Sequence, residues 1–334
     1  MKKTTNQLAG QNMSRRHLIG AAAAASALPL IAQAPPAGQA PPADAAAAGR
    51  GRGGRGRGMS PGGSGPIRVL LITKFHPFTR EPFFQMFDSF GSDITWTHVE
   101  QPAAQVFFDP KLSKNYDLFV LYDAFAGRVT RTKPDGTRET IETEPSPELR
   151  AGFKAMLQQG KGMLFFHHSI ASWVHTWPEY VEVMGAAADW GTPLKNIRGV
   201  DYPASGFKGK NPQHITIVDK THPVVQGLGD GFDIVDESYL CPMFEDSVHC
   251  LARTDMKQVA ENYRPAQAGH PAGSNMCVWV KTAERSPIVY IQHGHDEEAW
   301  TNPAFKTLML NGIKWASSKE ALDWAAKNPK KIFS

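Results

Sequence analysis

Cysteine is scarce in this chain, with Cys241, Cys250 and Cys277 the only three among 334 residues. None stands in Cys-x-x-Cys spacing, which excludes a zinc ribbon or a dithiol redox motif. A Cys241–Cys250 bridge and buried free thiols both remain open. Long apolar runs are missing as well. The stretch around residues 18–31 is short and rich in alanine, too little to cross ~30 Å of hydrocarbon, so no transmembrane span is expected in the mature chain. A nucleophile elbow is also lacking. The place for one, after the apolar run MLFF, holds His167 and His168; Ser169 has no glycine two residues before it, and Cys277 lies inside MCVWVK. Acyl transfer through a thiol is therefore not expected.

What is present begins with Ser14-Arg15-Arg16-His17-Leu18-Ile19, a short alanine-rich stretch, and Ala32-Gln33-Ala34 in the small-x-small form of a cleavage site. Residues 1–34 read as an export signal of the twin-arginine type, with an ordinary secretory signal as the alternative. The protein is accordingly expected in the periplasm or cell envelope. Residues 35–65, rich in Pro, Ala, Gly and Arg, read as a disordered linker with too little apolar surface to offset ordering. Its Arg50, Arg52, Arg55 and Arg57 resemble an RNA-binding repeat, but a solvated tether suits an exported chain better. The first 34 residues carry four positive charges and the linker a net three. Without them the formal +4 becomes −3 for residues 66–334. That leaves no basic face, and no nucleic-acid partner is expected.

From Ile67 the pattern changes. IRVLLITKF, LFVLY (118–122), MLFF (163–166) and SPIVYIQ (286–292) are continuous apolar runs of the kind found in strands covered on both faces. Ser146-Pro147 opens a helix whose Leu149, Phe153, Met156 and Leu157 share a face, and Asn302-Pro303 opens another before Phe305, Leu308, Met309 and Ile313. HITIVD, FDIVDE, VHCLAR and MCVWVK read as shorter, partly exposed strands, either extending the sheet or crossing over it. EALDWAAK reads as a final short helix. The fold class is α/β, a mostly parallel sheet with helices on both faces, in one domain over 66–334.

Such sheets bind ligands beyond the carboxyl ends of their strands. His76, Asp123, His167, His168, Gln292, His293 and His295 fall there, five of them among the chain's twelve histidines. Consecutive residues of a strand alternate, so His167 and His168 are expected on opposite sides. The following SIASWVHTWPEYVEVMG reads as largely helical, and a helix start near Ser169 would lower an imidazole pKa. The plainer reading, two histidines holding a turn, stays open. His293 and His295, two apart on an extended segment, share a face. With His167 they make a candidate site for a divalent metal such as Zn or Mn. Glu237 and Glu298 are candidate proton carriers beside His167, His168 and His295. His76, Asp123, Trp173, Tyr239 and Gln292 are candidate substrate contacts, whereas Trp300 reads as core.

GKGMLFFHHSIASWVHTWPEY, THPVVQGLGDGFDIVDESY and PIVYIQHGHDEEAWTNPAFKTLMLNGIKWA resemble the trehalose-utilisation (ThuA-like) family. The resemblance spans most of 66–318 and is loose over 76–145. It implies a flavodoxin-like sheet of the class I glutamine amidotransferase kind with the elbow cysteine replaced. It also implies a role in carbohydrate utilisation on disaccharides or their keto derivatives. Isomerisation, elimination or hydrolysis by histidines and carboxylates is the expected chemistry. A pair drawn from Asp123, Glu237 and Glu298 would be needed for two-carboxylate glycoside hydrolysis. The alternative is a non-catalytic sugar-binding or complex-forming module; glutamine amidotransfer is excluded by the missing nucleophile. The small-molecule partner is expected to be a carbohydrate, and homo-oligomerisation is left open.

Overall fold

The computed structural model describes residues 62–264 and 269–334; the expected export signal and nearly all of the expected linker lie outside them. Residues 62–65, assigned to that linker from composition, instead join the fold. Gly63 bridges antiparallel to Thr95, and the Gly62 N–H donates to Asp88.

The chain runs β1 (Ile67–Lys74), α1 (Arg80–Asp88), β2 (Ile94–Glu100), α2 (Pro110–Ser113) and β3 (Leu118–Asp123). A hairpin of β4 (Arg128–Thr132) and β5 (Arg138–Glu142) leads to α3 (Pro147–Gln158), β6 (Gly162–Phe166) and α4 (Pro178–Met184). A second hairpin, β7 (Leu194–Ile197) and β8 (Val200–Tyr202), precedes β9 (Gly206–Ile217), β10 (Gly231–Leu240), β11 (His249–Thr254) and β12 (Met276–Ala283). Last come β13 (Ser286–Ile291), α5 (Glu297–Thr301), α6 (Pro303–Ala316) and α7 (Lys319–Lys327).

One nine-stranded sheet has the order β10-β9-β11-β12-β13-β6-β3-β1-β2. Strands β2, β1, β3, β6 and β13 are parallel, in the order 2-1-3-4-5 of flavodoxin-like folds. The other four are antiparallel and continue the sheet from β13. The middle strands thus extend the sheet rather than cross over it. MCVWVK is not partly exposed: every residue of β12 is buried, because β11 and β13 flank it and both its faces are covered.

Alternation along β1 sorts the core. Val69 and Leu71 pack with Phe83, Phe87 and the Phe305–Ile313 face of α6. Leu70 and Ile72 pack on the other side with Phe153, Met156 and Tyr180 from α3 and α4. The expected caps are in place: Ser146 Oγ accepts from the Leu149 N–H at 3.2 Å, and Asn302 Oδ1 accepts from those of Ala304 and Phe305. All three cysteines are free thiols, so no Cys241–Cys250 bridge forms, and burial pushes Cys241 up to about 12.

Close packing of α6 on the sheet needs Gly162. A Cβ there would sit 2.0 Å from the Ala316 carbonyl oxygen, which belongs to backbone and cannot turn away. Gly162→Ala is expected to lower stability by about 2–3 kcal/mol, read from urea unfolding midpoints; an unchanged midpoint would show that α6 shifts freely.

Candidate functional site

Four neighbouring parallel strands end in left-handed backbone. Phe75 (φ 69°) follows β1, Phe125 (φ 54°) follows β3, His167 (φ 53°) follows β6 and Gly294 (φ 127°) follows β13. For bulky residues this conformation is uncommon and costs about 1–3 kcal/mol each. At His167 it ends the strand's alternation. His167 and His168 therefore do not point to opposite sides; their ring centroids lie 4.7 Å apart. A 3-10 turn covers His167–Ala171, and α4 does not begin until Pro178. The expected helix dipole is accordingly absent at the histidines. Their pKa values are still held well below the ordinary imidazole value, by burial first and then by neighbouring imidazoles.

His167 is the centre of the cluster. Its Nδ1 lies 3.0 Å from the Gln292 carbonyl oxygen, which can only accept, so Nδ1 carries the proton and Nε2 presents a lone pair. Around that lone pair stand Tyr239 OH at 2.7 Å, His295 Nδ1 at 3.0 Å and Glu237 Oε2 at 3.5 Å. Glu237 Oε2 is also 3.2 Å from His295 Nδ1 and within reach of Tyr239 OH. The His167 carbonyl accepts from Tyr290 OH, which fixes the turn. His76 completes the rim, its ring centroid 4.4 Å from His168 and 5.4 Å from His295. Both ring nitrogens of buried His168, and Nδ1 of His76, have no hydrogen-bond partner among the described residues.

The electrostatics separate these imidazoles. Burial opposes charge on His295, but Glu237, with Asp236 and Asp296 behind it, outweighs burial and raises its pKa. At His76 burial dominates, with the charge of His295 adding to it, and the pKa falls. The site thus combines one imidazole that favours its proton with several that favour neutrality.

The remaining expected residues are distributed less favourably. His293 does not share a face with His295, because Gly294 between them adopts φ 127° and turns the chain. His293 is fully buried, 3.4 Å from Gln213 Oε1 and held down at about 4 by burial. Glu237 takes its place beside His167 and His295: their three ligand atoms lie within 4.8 Å of one another. Glu298 is not at the cluster. Its side chain is 48% exposed, bound to Lys210 at 2.9 Å and held at about 2, since the first turn of α5 faces the β9–β10 edge. Gln292 contributes its carbonyl, not its amide, whose two polar atoms are buried without partners. Trp173 packs on Gly127 in a neighbouring cleft, and Trp300 is core as expected.

Two supporting residues escaped notice in the sequence. Asp236 stands beside Glu237 in FDIVDE and carries no distinguishing pattern of its own. Its side chain accepts the N–H groups of Gly294 at 2.6 Å, Glu237 at 2.8 Å and His295 at 3.1 Å. Tyr122 sends its OH to the Gly294 carbonyl at 2.9 Å while its ring lies 4.3 Å from that of His168. The signal for Tyr122 was its place beside Asp123 at the end of β3. A second acidic group, Glu142, His175 and Asp189, also gathers three ligand atoms, but Arg128 already bonds both carboxylates and so competes with a cation for them.

A family model described as trehalose utilisation matches residues 68–316. The chain belongs to this ThuA family. A ThuA-like protein from Parabacteroides merdae is 20% identical, with 76% of this chain and 90% of that one covered at a TM-score of 0.54, a likeness of fold. One from Bacteroides uniformis is 15% identical over 76% and 92%, at 0.49. PurLQS from Thermotoga maritima, 11% identical, covers 75% and 98% at 0.42. A search of curated protein sequences found no match.

Asp123 lies behind this rim, fully buried, accepting from Gln101 Nε2 at 2.8 Å. Burial raises its carboxyl to about 6, only partly offset by that bond. A folded-state pKa above the unfolded one means that the folded protein holds a proton the unfolded chain releases between pH 4 and 6. Stability from this group therefore falls as pH rises through that window. Asp123→Asn is expected to exceed the parent at pH 8 by about 2–3 kcal/mol and to lose that margin near pH 4, measured by thermal melting; equal margins at both pH values would refute it.

Proposed function

We propose that this protein is an exported enzyme of carbohydrate utilisation. It acts on a disaccharide or keto-glycoside by proton transfer among His167, His295, Glu237 and Tyr239, giving isomerisation, elimination or hydrolysis. The observation that carries this reading is the convergence of His167 Nε2, His295 Nδ1, Glu237 Oε2 and Tyr239 OH at the carboxyl ends of the central strands. Export rests on the twin-arginine motif at Arg15-Arg16 and the cleavage-like Ala32-Gln33-Ala34. Among the described residues no helix is long and apolar enough to cross a membrane.

In this reading Glu237 accepts a proton from a substrate hydroxyl or from a carbon beside a carbonyl, and His295, which favours its charged form, returns one to the developing oxyanion. Neutral His167, fixed in one tautomer by Gln292, hydrogen-bonds through its lone pair and holds Tyr239 in line. His76 and His168 offer ring nitrogens without protein partners to substrate hydroxyls, which would relieve the cost of leaving them buried and unpaired. Glu237 is the one carboxylate of the expected trio that meets the imidazoles. Two-carboxylate glycosidase chemistry through Asp123 or Glu298 therefore finds no support. The elbow histidine likewise gives no support to glutamine amidotransfer.

The same atoms suit a divalent cation. His167 offers a lone pair with its other nitrogen tied to a carbonyl, as metal-binding imidazoles do, and His295 and Glu237 supply the other two ligands. Zn or Mn bound there would polarise a substrate carbonyl or hydroxyl.

The test is turnover of trehalose, other disaccharides and their keto derivatives by the mature protein. Glu237→Gln and His295→Ala are expected to lose at least 100-fold in rate and to lose near-stoichiometric zinc or manganese binding, whereas Glu298→Gln keeps both. Saccharide binding with no turnover in any protein would instead identify a sugar-binding module.

A further inference from the structure

The cluster does not stand alone at the rim. Beginning one residue before His76, a cleft of about 670 Å³ opens between the ends of β1 and β3 and the β4–β5 hairpin. We propose that this cleft is a saccharide subsite that receives an uncharged pyranose ring, with Phe75 as its stacking platform. The inference rests on the carbohydrate reading above and assigns where a second sugar unit sits.

Three of its walls are aromatic residues in left-handed backbone: Phe75, Phe125 and Trp173 (φ 61°). Nothing in local sequence favours that conformation for bulky side chains, so packing elsewhere must enforce it. Strain of this kind gathers where a ligand is held. Phe75 is 40% exposed despite its size. Trp173, only 4% exposed, forms the floor. It packs so closely on Gly127 (φ 89°) that a Cβ there would meet its ring at 2.5 Å. Phe125 is held from one side by Arg128, whose guanidinium carbon stands 4.7 Å from the ring centroid.

The polar part of the lining selects the class of ligand. Arg128 is already bonded to Glu142 and Asp189, and Arg150 to Glu144 and Glu179, so both arginines at the wall are fully engaged by carboxylates. What remains is the Gln105 amide and the Thr130 hydroxyl around an apolar floor. An acidic ligand finds no free counter-charge in this lining. A ring with C–H faces and edge hydroxyls matches it, and the volume falls in the range of small-molecule sites. Position links the two sites. Phe75 precedes His76, and Phe125 contacts Trp190 at 5.8 Å, which contacts Tyr239 at 5.0 Å beside His167.

The experiment titrates the full chain with trehalose and with methyl α-glucoside by calorimetry, alongside Phe75→Ala and Val129→Arg. The second variant adds bulk at an exposed position of β4 on the cleft wall, and it keeps the test open if Phe75→Ala folds poorly. Zinc binding at His167, Glu237 and His295 is measured on the same samples. Saccharide affinity falling at least 10-fold in the folded variants, with zinc binding unchanged, is the expected result. Equal saccharide affinity in parent and variants, or no saccharide binding by the parent, would overturn the subsite. Absent zinc binding together with variant-sensitive saccharide binding would leave the subsite standing and remove the metal from the proposed function.

Discussion

The site depends on the Asp236 carboxylate. Its oxygens accept three backbone N–H groups, those of Gly294, Glu237 and His295, and so fasten the end of β10 to the loop leaving β13. These strands lie at opposite ends of the antiparallel half of the sheet, with β9, β11 and β12 between them. The clamp brings an edge strand's Glu237 and Tyr239 to a central strand's histidine. Burial pushes the Asp236 carboxyl up to about 7, against the pull of the same N–H bonds. A buried carboxylate is tolerated where several donors point at it.

Around that clamp the loop is held from all sides. The Gly294 carbonyl accepts from Tyr122 OH and Trp300 Nε1, both at 2.9 Å, while a Cβ at Gly294 would come 2.9 Å from Phe166. His295 is therefore aimed by backbone geometry as much as by its own contacts. The same holds at His167, whose carbonyl is tied to Tyr290 and whose Nδ1 is tied to Gln292. Rigid supports of this kind suit chemistry that needs atoms held within about 0.5 Å.

Much of this was legible from the residues. The runs at β1, β3, β6 and β13 are largely apolar because both faces are covered, and the Ser146-Pro147 and Asn302-Pro303 caps marked α3 and α6. The rule that ligands gather beyond strand ends brought out His76, His167, His168 and His295. What failed was periodicity at the ends themselves. Alternation put His167 and His168 on opposite sides and His293 beside His295, yet left-handed residues interrupt both segments. Glu237 reaches the imidazoles through a register shift against β9, near Lys210 with φ 44°, which residue spacing does not reveal. Glu298 looked equivalent to its neighbours, but the turn into α5 carries it to solvent.

The order of the strands also bears on how the molecule is assembled. Strand β13 lies between β6 and β12, so it closes the parallel half and joins it to the antiparallel half. It is also the last strand of the sheet to be synthesised. Until residue 291 is available, β6 is an open edge and the antiparallel strands have nothing to dock on. The β12–β13 hairpin is local and forms readily, whereas its docking on β6 joins segments more than a hundred residues apart. The growing chain must therefore keep two sheet edges from pairing wrongly until its final fifth emerges, and the histidine rim comes into being in that same late step.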